Sequence, residues 1–140
     1  RSKDVLEGKR EVASSDLDNM MLASSMAGMA ISMTGTSLPH GLSYPVTVRR
    51  GMPHGMGVGY FQAGYLREAD KTDRYNVLKW SGFGDADELA DFYSKVCTAE
   101  KLDEEILILS AEEILSNEMK LKNCPYIVDR EKMLRIVGVN

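Results

Sequence analysis

The run from 20 to 33, MMLASSMAGMAISM, constrains the fold more than any other part of the chain. It holds no charged residue and no proline, and it is apolar or small on every side of a helix. A helix that is apolar all round is normally buried. Ser15 or Asp16 can cap its amino terminus, and Gly35 can end it. The run therefore predicts one long, buried helix that ends near Gly35.

Helical signals continue through the rest of the chain, without an internal repeat and without alternation of strands and helices. Further helices are predicted from about Ser37 to Arg50, from Pro53 to about Asp70, from Thr72 to Trp80, from Asp85 onward, and after the cap residue Asp129. Ser110–Glu113 has the pattern of a capping box, which predicts a short helix to about Asn117. The segment Ile106–Leu109 is ambiguous between a strand and a buried turn. We therefore predict an all-α fold, a helical bundle.

Length and charge limit the function classes. The chain has 140 residues, which fits a single all-helical domain over 1–140, and a formal charge of −4, which argues against nucleic acid as a partner. No segment reaches the roughly 18 apolar residues that crossing a bilayer requires, so no membrane partner is expected. Cys97 and Cys124 lack the number and spacing of a disulfide framework or a metal knuckle. Reduced thiols of this kind are typical of a cytoplasmic protein.

The two histidines, His40 and His54, each stand in a Pro-His-Gly triplet, fourteen positions apart. Histidine is the commonest metal ligand. Two ligand nitrogens on one ion lie roughly 3 Å apart, whereas one straight helix would separate these positions by about 21 Å. The chain must therefore fold back between them. Pro45 can bend the helix, and Gly51 with Pro53 can end one helix and start the next.

Two interpretations of these histidines are open. In the first, His40 and His54 are ligands of one divalent metal. Two imidazoles leave positions unfilled, which carboxylates usually occupy, yet no Asp or Glu lies between Met20 and Arg67. In the second, the chain is a non-catalytic helical interaction module, and the incidental histidines lie apart or face solvent. A metal-dependent hydrolase is disfavoured, because neither histidine has an adjacent aspartate.

The stretch MAGMAISMTGTSLPHGLSYPVTVRRGMPHGMGVG, from Met26 to Gly59, resembles the signature region of the iron-containing (group III) alcohol dehydrogenases. In that family, a helix of the form MAGxAF precedes a glycine, a histidine that opens a helix and, at the same later spacing as here, a PHG triplet. The segments KTDRYNVLKWSGFGDADELADFYSKV and LKNCPYIVDREKMLRIV are similar to the family more loosely. The resemblance thus extends over nearly the whole chain.

The resemblance implies the C-terminal, all-helical metal-binding domain of the dehydroquinate synthase-like, iron-containing alcohol dehydrogenase fold. It implies that His40 and His54 bind a divalent metal, iron or alternatively zinc. It also implies that the full-length enzyme uses NAD(P), bound by an N-terminal domain, to interconvert alcohols and aldehydes or ketones. The family's other two ligands come from an Asp-x-x-x-His pair, which this sequence lacks. We therefore expect an inactive C-terminal fragment with half a metal site, in which no catalytic and no NAD(P)-binding residue is assigned.

Two further positions follow from the resemblance as candidates for a substrate pocket. Tyr44 stands where many members carry a second histidine, four residues after the first ligand. A tyrosine is a poor proton shuttle near neutrality, because its pKa is about 10. Ile31 falls where the family often has an aromatic residue that lines the pocket. The apolar surface that faces the rest of the enzyme should cause association, so a homo-oligomer is expected.

Overall fold

The structure is a computed structural model that describes residues 2–97 and 101–139. Within these residues the secondary structure is entirely helical, which confirms the all-α prediction. The helices are α1 (Ser2–Leu6), α2 (Ser14–Thr34), α3 (Leu38–Arg50), α4 (His54–Arg67), α5 (Lys71–Ser81), α6 (Ala86–Val96), α7 (Glu104–Leu115), α8 (Glu118–Lys122) and α9 (Arg130–Val137). No helix in the described part is long and apolar enough to cross a membrane.

The chain divides into two compact units, Arg1–Gly35 and Thr36–Asn140. The first unit contains α1 and α2, and the second contains α3 to α9. The single domain over 1–140 that we predicted from length stays a prediction. The candidate histidines both belong to the second unit.

Helix α2 begins and ends close to the predicted positions, but its surroundings differ from the prediction. Its only buried residue is Asp16, whereas Met20 is 59% exposed and Met33 is 87% exposed. The expectation of a buried helix is therefore wrong. Burial needs a neighbour, and the described part of the first unit offers just one other helix, the short α1. An apolar surface on every side shows that a helix can be buried, but it does not supply the partner.

Local hydrogen bonds fix both ends of α2. The Asp16 carboxylate accepts the backbone N–H of Ala13 at 2.9 Å and also accepts two hydrogen bonds from Arg10, at 2.6 and 2.7 Å. Gly35 ends the helix with a φ of 71°, and its N–H donates to the Ile31 carbonyl at 2.8 Å. A positive φ is available to glycine without steric cost, which explains the stop.

The second unit forms around a core to which α3, α4, α7 and α9 contribute. Helix α3 packs on α4 and α7, and α4 packs on α6 and α9. The core side chains of these four helices are Leu38, Leu42, Val46, Phe61, Leu107, Ala111, Ile114, Met133, Ile136 and Val137, and Leu102 and Val139 join them from outside the helices. This core holds the amino-terminal turns of α3 and α4 in fixed positions relative to each other.

The turn between α3 and α4 is the fold-back that the sequence predicted. Helix α3 ends at Arg50, and Gly51 follows in the left-handed conformation with a φ of 67°. The Gly51 N–H donates to the Thr47 carbonyl at 3.0 Å, which closes the last turn. Pro53 is extended, and α4 begins immediately after it at His54. The chain therefore reverses within a few residues.

Helix α7 corrects the prediction for the third quarter of the chain. It runs continuously from Glu104 to Leu115, so Ser110–Glu113 is not a capping box and Ile106–Leu109 is not a strand. Leu107, Ala111 and Ile114 are buried at helical spacing. This spacing indicates one continuous helix from Ile106 through Ser110–Glu113. A capping-box pattern occurs inside helices too, where its serine has no free helix end to cap.

Aspartate caps at later helices confirm three predicted starts. The carboxylate of Asp70 accepts the N–H of Thr72 at 2.8 Å, and that of Asp129 accepts the N–H of Lys132 at 2.7 Å. Asp85 accepts two backbone N–H groups at the start of α6. Each carboxylate satisfies helix donors that would otherwise lack a partner.

An ion pair between the residue that follows α4 and a residue of α9 predicts how stability depends on pH. Arg135 donates to both oxygens of Glu68, at 3.0 and 3.1 Å, and this hydrogen bonding lowers the pKa of Glu68 below its ordinary value. The pair therefore stabilises the fold above the unfolded pKa of about 4.3, and this contribution is lost as the pH falls through the lower, folded pKa. We expect Glu68→Gln to reduce the free energy of unfolding by less than about 1 kcal/mol at pH 7.

The measurement for this prediction is urea unfolding of the wild-type chain and of the Glu68→Gln variant at pH 7 and in acid. The difference between the two should shrink at the acid end. A difference that stays constant or grows as the pH falls would contradict the assigned pKa direction.

Candidate metal centre

The two histidines meet where α3 and α4 begin. His40 lies in the first turn of α3, and His54 is the first residue of α4. The Nδ1 atom of His40 is 3.1 Å from the Nε2 atom of His54, and the ring centroids are 5.1 Å apart with an interplanar angle of 52°. The fold-back at Gly51 thus brings the rings together as expected. The expectation that the histidines lie apart, which the interaction-module alternative included, is wrong.

Ser43 contacts both histidines through its hydroxyl group. The sequence alone did not identify it as a candidate site residue. It is fully buried one turn after His40, and its hydroxyl donates to the His40 carbonyl at 2.8 Å. The same Oγ atom lies 2.9 Å from Nδ1 of His54. The only feature of the sequence that pointed to Ser43 was its position three residues after the candidate ligand His40. A serine at that spacing is too common in helices to be recognised by itself.

Tyr44 lies beside the histidine pair. Its ring is parallel to that of His54, at 5° and a centroid distance of 5.2 Å, and the residue is 46% exposed. The structure therefore places Tyr44 next to the candidate metal ligands. Its role in a substrate pocket stays a prediction.

Lys120 brings a positive charge to the same place, and sequence reasoning missed it. Its Nζ atom lies 5.4 Å from the centroid of the Tyr44 ring and donates to Oγ1 of Thr36 at 2.6 Å. Lys120 belongs to the short helix α8, far along the chain from Thr36. Only the tertiary fold brings these residues together, so no local pattern could have shown the contact.

Ile31, the other candidate for a substrate pocket, lies on α2 in the first unit and is 42% exposed. Its role stays a prediction from the resemblance.

The electrostatic environment favours a neutral His40. Burial lowers the pKa of His40 below its ordinary value, and the neighbouring His54 and the charge of Lys120 lower the pKa further. A neutral imidazole has a free lone pair, which is the form that binds a metal ion. His40 is therefore held in the protonation state that a ligand needs at neutral pH.

The residues present fit part of a metal site. Two imidazole nitrogens about 3 Å apart suit adjacent ligands on one ion. Within residues 2–97 and 101–139, however, no three or more His, Cys, Asp and Glu side chains come together in a way that could hold a metal. The described residues thus supply His40 and His54 as an incomplete set of donors.

The second unit thus brings two histidines together at adjoining helix starts. Residues 3–116 match the family model for the Fe-containing alcohol dehydrogenase family, C-terminal. The match extends over most of the chain, so the chain belongs to the iron-containing alcohol dehydrogenase family, as the resemblance indicated. Comparisons with curated proteins and with solved structures gave no significant match.

Proposed function

We propose that this chain is the metal-binding C-terminal domain of a cytoplasmic, NAD(P)-dependent alcohol dehydrogenase that interconverts alcohols and aldehydes or ketones. The observation that carries the proposal is the 3.1 Å approach of His40 Nδ1 to His54 Nε2. The family match supports the reaction class. A non-catalytic module with incidental histidines gains no support from this geometry.

In the proposed site, His40 and His54 hold an iron ion, or alternatively zinc, through neutral imidazoles. When bound, the ion supplies a Lewis acid that polarises the oxygen of the alcohol or carbonyl substrate. Tyr44 packs its ring parallel to that of His54, beside the proposed ion. Its hydroxyl is poorly suited to moving a proton near neutrality. We assign no NAD(P)-binding residue to this chain.

The proposal predicts a specific but weak metal site. Titration of the metal-free chain with Zn²⁺, followed by calorimetry, should show one saturable ion per chain, because the two nitrogens lie 3.1 Å apart, a spacing that suits two ligands of one ion. Dialysis against a chelator should leave far less than one equivalent, since two ligands are too few for a tight site. Binding that never saturates would contradict the site. Stoichiometric metal that survives the chelator would contradict the incomplete set of ligands.

The proposed homo-oligomer is supported by the exposed apolar surface of α2. Leu22, Met26 and Met29 are each about three-fifths exposed, at 60%, 58% and 61%, on a helix without a charged residue after Asp18. Continuous apolar surface of this kind marks an interaction site in a soluble protein. We expect α2 of one chain to pack on α2 of a second copy.

Sedimentation of the purified chain tests this association. The mass should rise with concentration, and Met26→Glu should weaken association by at least about tenfold, because it places a charge in the interface. The matched control is Met119→Glu, at a 79% exposed position on α8, which should have no effect. A wild-type chain that is monomeric at every concentration would contradict the expectation.

A further inference from the structure

We infer that Ser43 is a positioning residue for the candidate metal centre, where it fixes the tautomer of His54 so that Nε2 carries the lone pair that a metal ion would need. The inference rests on the proposed function for its metal part. The tautomer itself is a property of the metal-free chain and can be tested separately.

The direction of the Ser43 hydrogen bonds follows from counting protons. Its hydroxyl has one proton and two lone pairs. The His40 carbonyl, 2.8 Å away, can only accept, so the hydroxyl proton must point to it. If the proton pointed to His54 instead, two acceptor oxygens would face each other at that distance without a proton between them, and one of them belongs to the fully buried Ser43. The Oγ atom therefore presents a lone pair to His54.

The tautomer of His54 follows from that lone pair. Nδ1 of His54 lies 2.9 Å from Oγ of Ser43 and must carry the proton of this hydrogen bond. In a neutral imidazole the other nitrogen is then unprotonated. The lone pair of Nε2 points to Nδ1 of His40, at 3.1 Å, which donates to it in the metal-free chain.

Close packing holds Ser43 in this position. A Cβ atom built on Gly57 would lie 2.9 Å from the Cβ of Ser43 and 3.4 Å from its Cα. The backbone of α4 therefore rests directly against Ser43, and only glycine at position 57 permits this approach. Gly57 follows His54 by less than one turn of α4. The contact between Gly57 and Ser43 therefore also fixes the distance of His54 from α3.

This arrangement supplies an outer partner for a metal ligand. A ligating histidine usually donates its second ring N–H to a fixed acceptor, which orients the ring and selects the tautomer. Loss of such a partner typically weakens metal binding by about 10- to 100-fold. Ser43 has this relation to His54, through a hydroxyl whose own proton is already committed to the His40 carbonyl.

The test begins with ¹⁵N NMR of the imidazole nitrogens in the metal-free chain at about pH 8, well above the ordinary histidine pKa. The wild-type spectrum should show a protonated Nδ1 and an unprotonated Nε2 for His54. Ser43→Ala should move both shifts toward the average of the two tautomers. Ser94→Ala is the control, because Ser94 makes the same bond to a carbonyl three residues earlier, at 2.9 Å, without a histidine partner.

Zinc titration of the same variants gives the second measurement. Ser43→Ala should lose about 10- to 100-fold in affinity, whereas Ser94→Ala should bind as the wild type does. A wild-type His54 with its proton on Nε2 would overturn the inference without any variant, even if Ser43→Ala fails to fold. Unchanged zinc affinity in a folded Ser43→Ala would overturn the metal role of Ser43 and leave the proposed function intact. A wild-type chain without zinc binding would contradict the proposed function itself, and with it the metal role of Ser43.

Discussion

Gly64→Ala is expected to destabilise the second unit by about 3 kcal/mol, at the upper end of the usual range for overpacking. Helices α4 and α9 meet at this glycine. A Cβ atom there would overlap the carbonyl oxygen of Ile136 and lie 2.9 Å from its carbonyl carbon. Both are backbone atoms, which cannot rotate away as the end of a flexible side chain can. The two helices would have to separate, and buried contacts around Ile136 and Met133 would be lost.

Urea unfolding of the full chain measures this effect. The matched control is Gly55→Ala in the same helix, where a Cβ atom would have no neighbour within 4 Å among the described residues. Alanine has the higher helix propensity, so this variant should be neutral or more stable by less than about 1 kcal/mol. Gly64→Ala within 1 kcal/mol of the wild type would show that α4 and α9 are farther apart than in the structure.

Single replacement of either candidate ligand should nearly abolish metal binding. His40→Ala and His54→Ala should each lower zinc affinity by more than about 100-fold, because one imidazole alone leaves the ion with almost no protein donors. The double variant should be little worse than either single variant, since the pair acts as a unit. Tyr44→Phe keeps the ring that packs on His54 and should bind zinc nearly as the wild type does.

Calorimetric titration of these four variants decides between two accounts of the site. If both histidines bind the same ion, the two single variants lose zinc affinity to a similar extent. If one single variant keeps wild-type affinity, its histidine is not a ligand, whatever its distance from the other ring.

Local signals in the sequence were sufficient to predict how His40 and His54 come together. The Arg-Arg-Gly stop of α3 and the Pro53 start of α4 act within a few residues, so the reversal at Gly51 could be predicted without knowledge of the rest of the fold. The same holds for Asp129, whose carboxylate caps α9 as expected.

Features that depend on tertiary neighbours could not be predicted in this way. The composition of α2 indicated that it can be buried, but its exposure depends on which surfaces are available to it. Lys120 reaches Thr36 across a large separation in the chain. The part played by Ser43 depends on Gly57, because the absence of a side chain on α4 is what lets the serine approach. None of these contacts leaves a periodic trace in the sequence.

X-ray absorption at the zinc edge, with one equivalent of Zn²⁺ added, tests most directly whether His40 and His54 bind one ion. We predict two imidazole nitrogens per ion at about 2.0–2.1 Å, with oxygen ligands completing the coordination. The imidazole signal should disappear in the variant that lacks both histidines. A wild-type spectrum with one imidazole or none, or with a sulfur ligand at about 2.3 Å, would contradict the account.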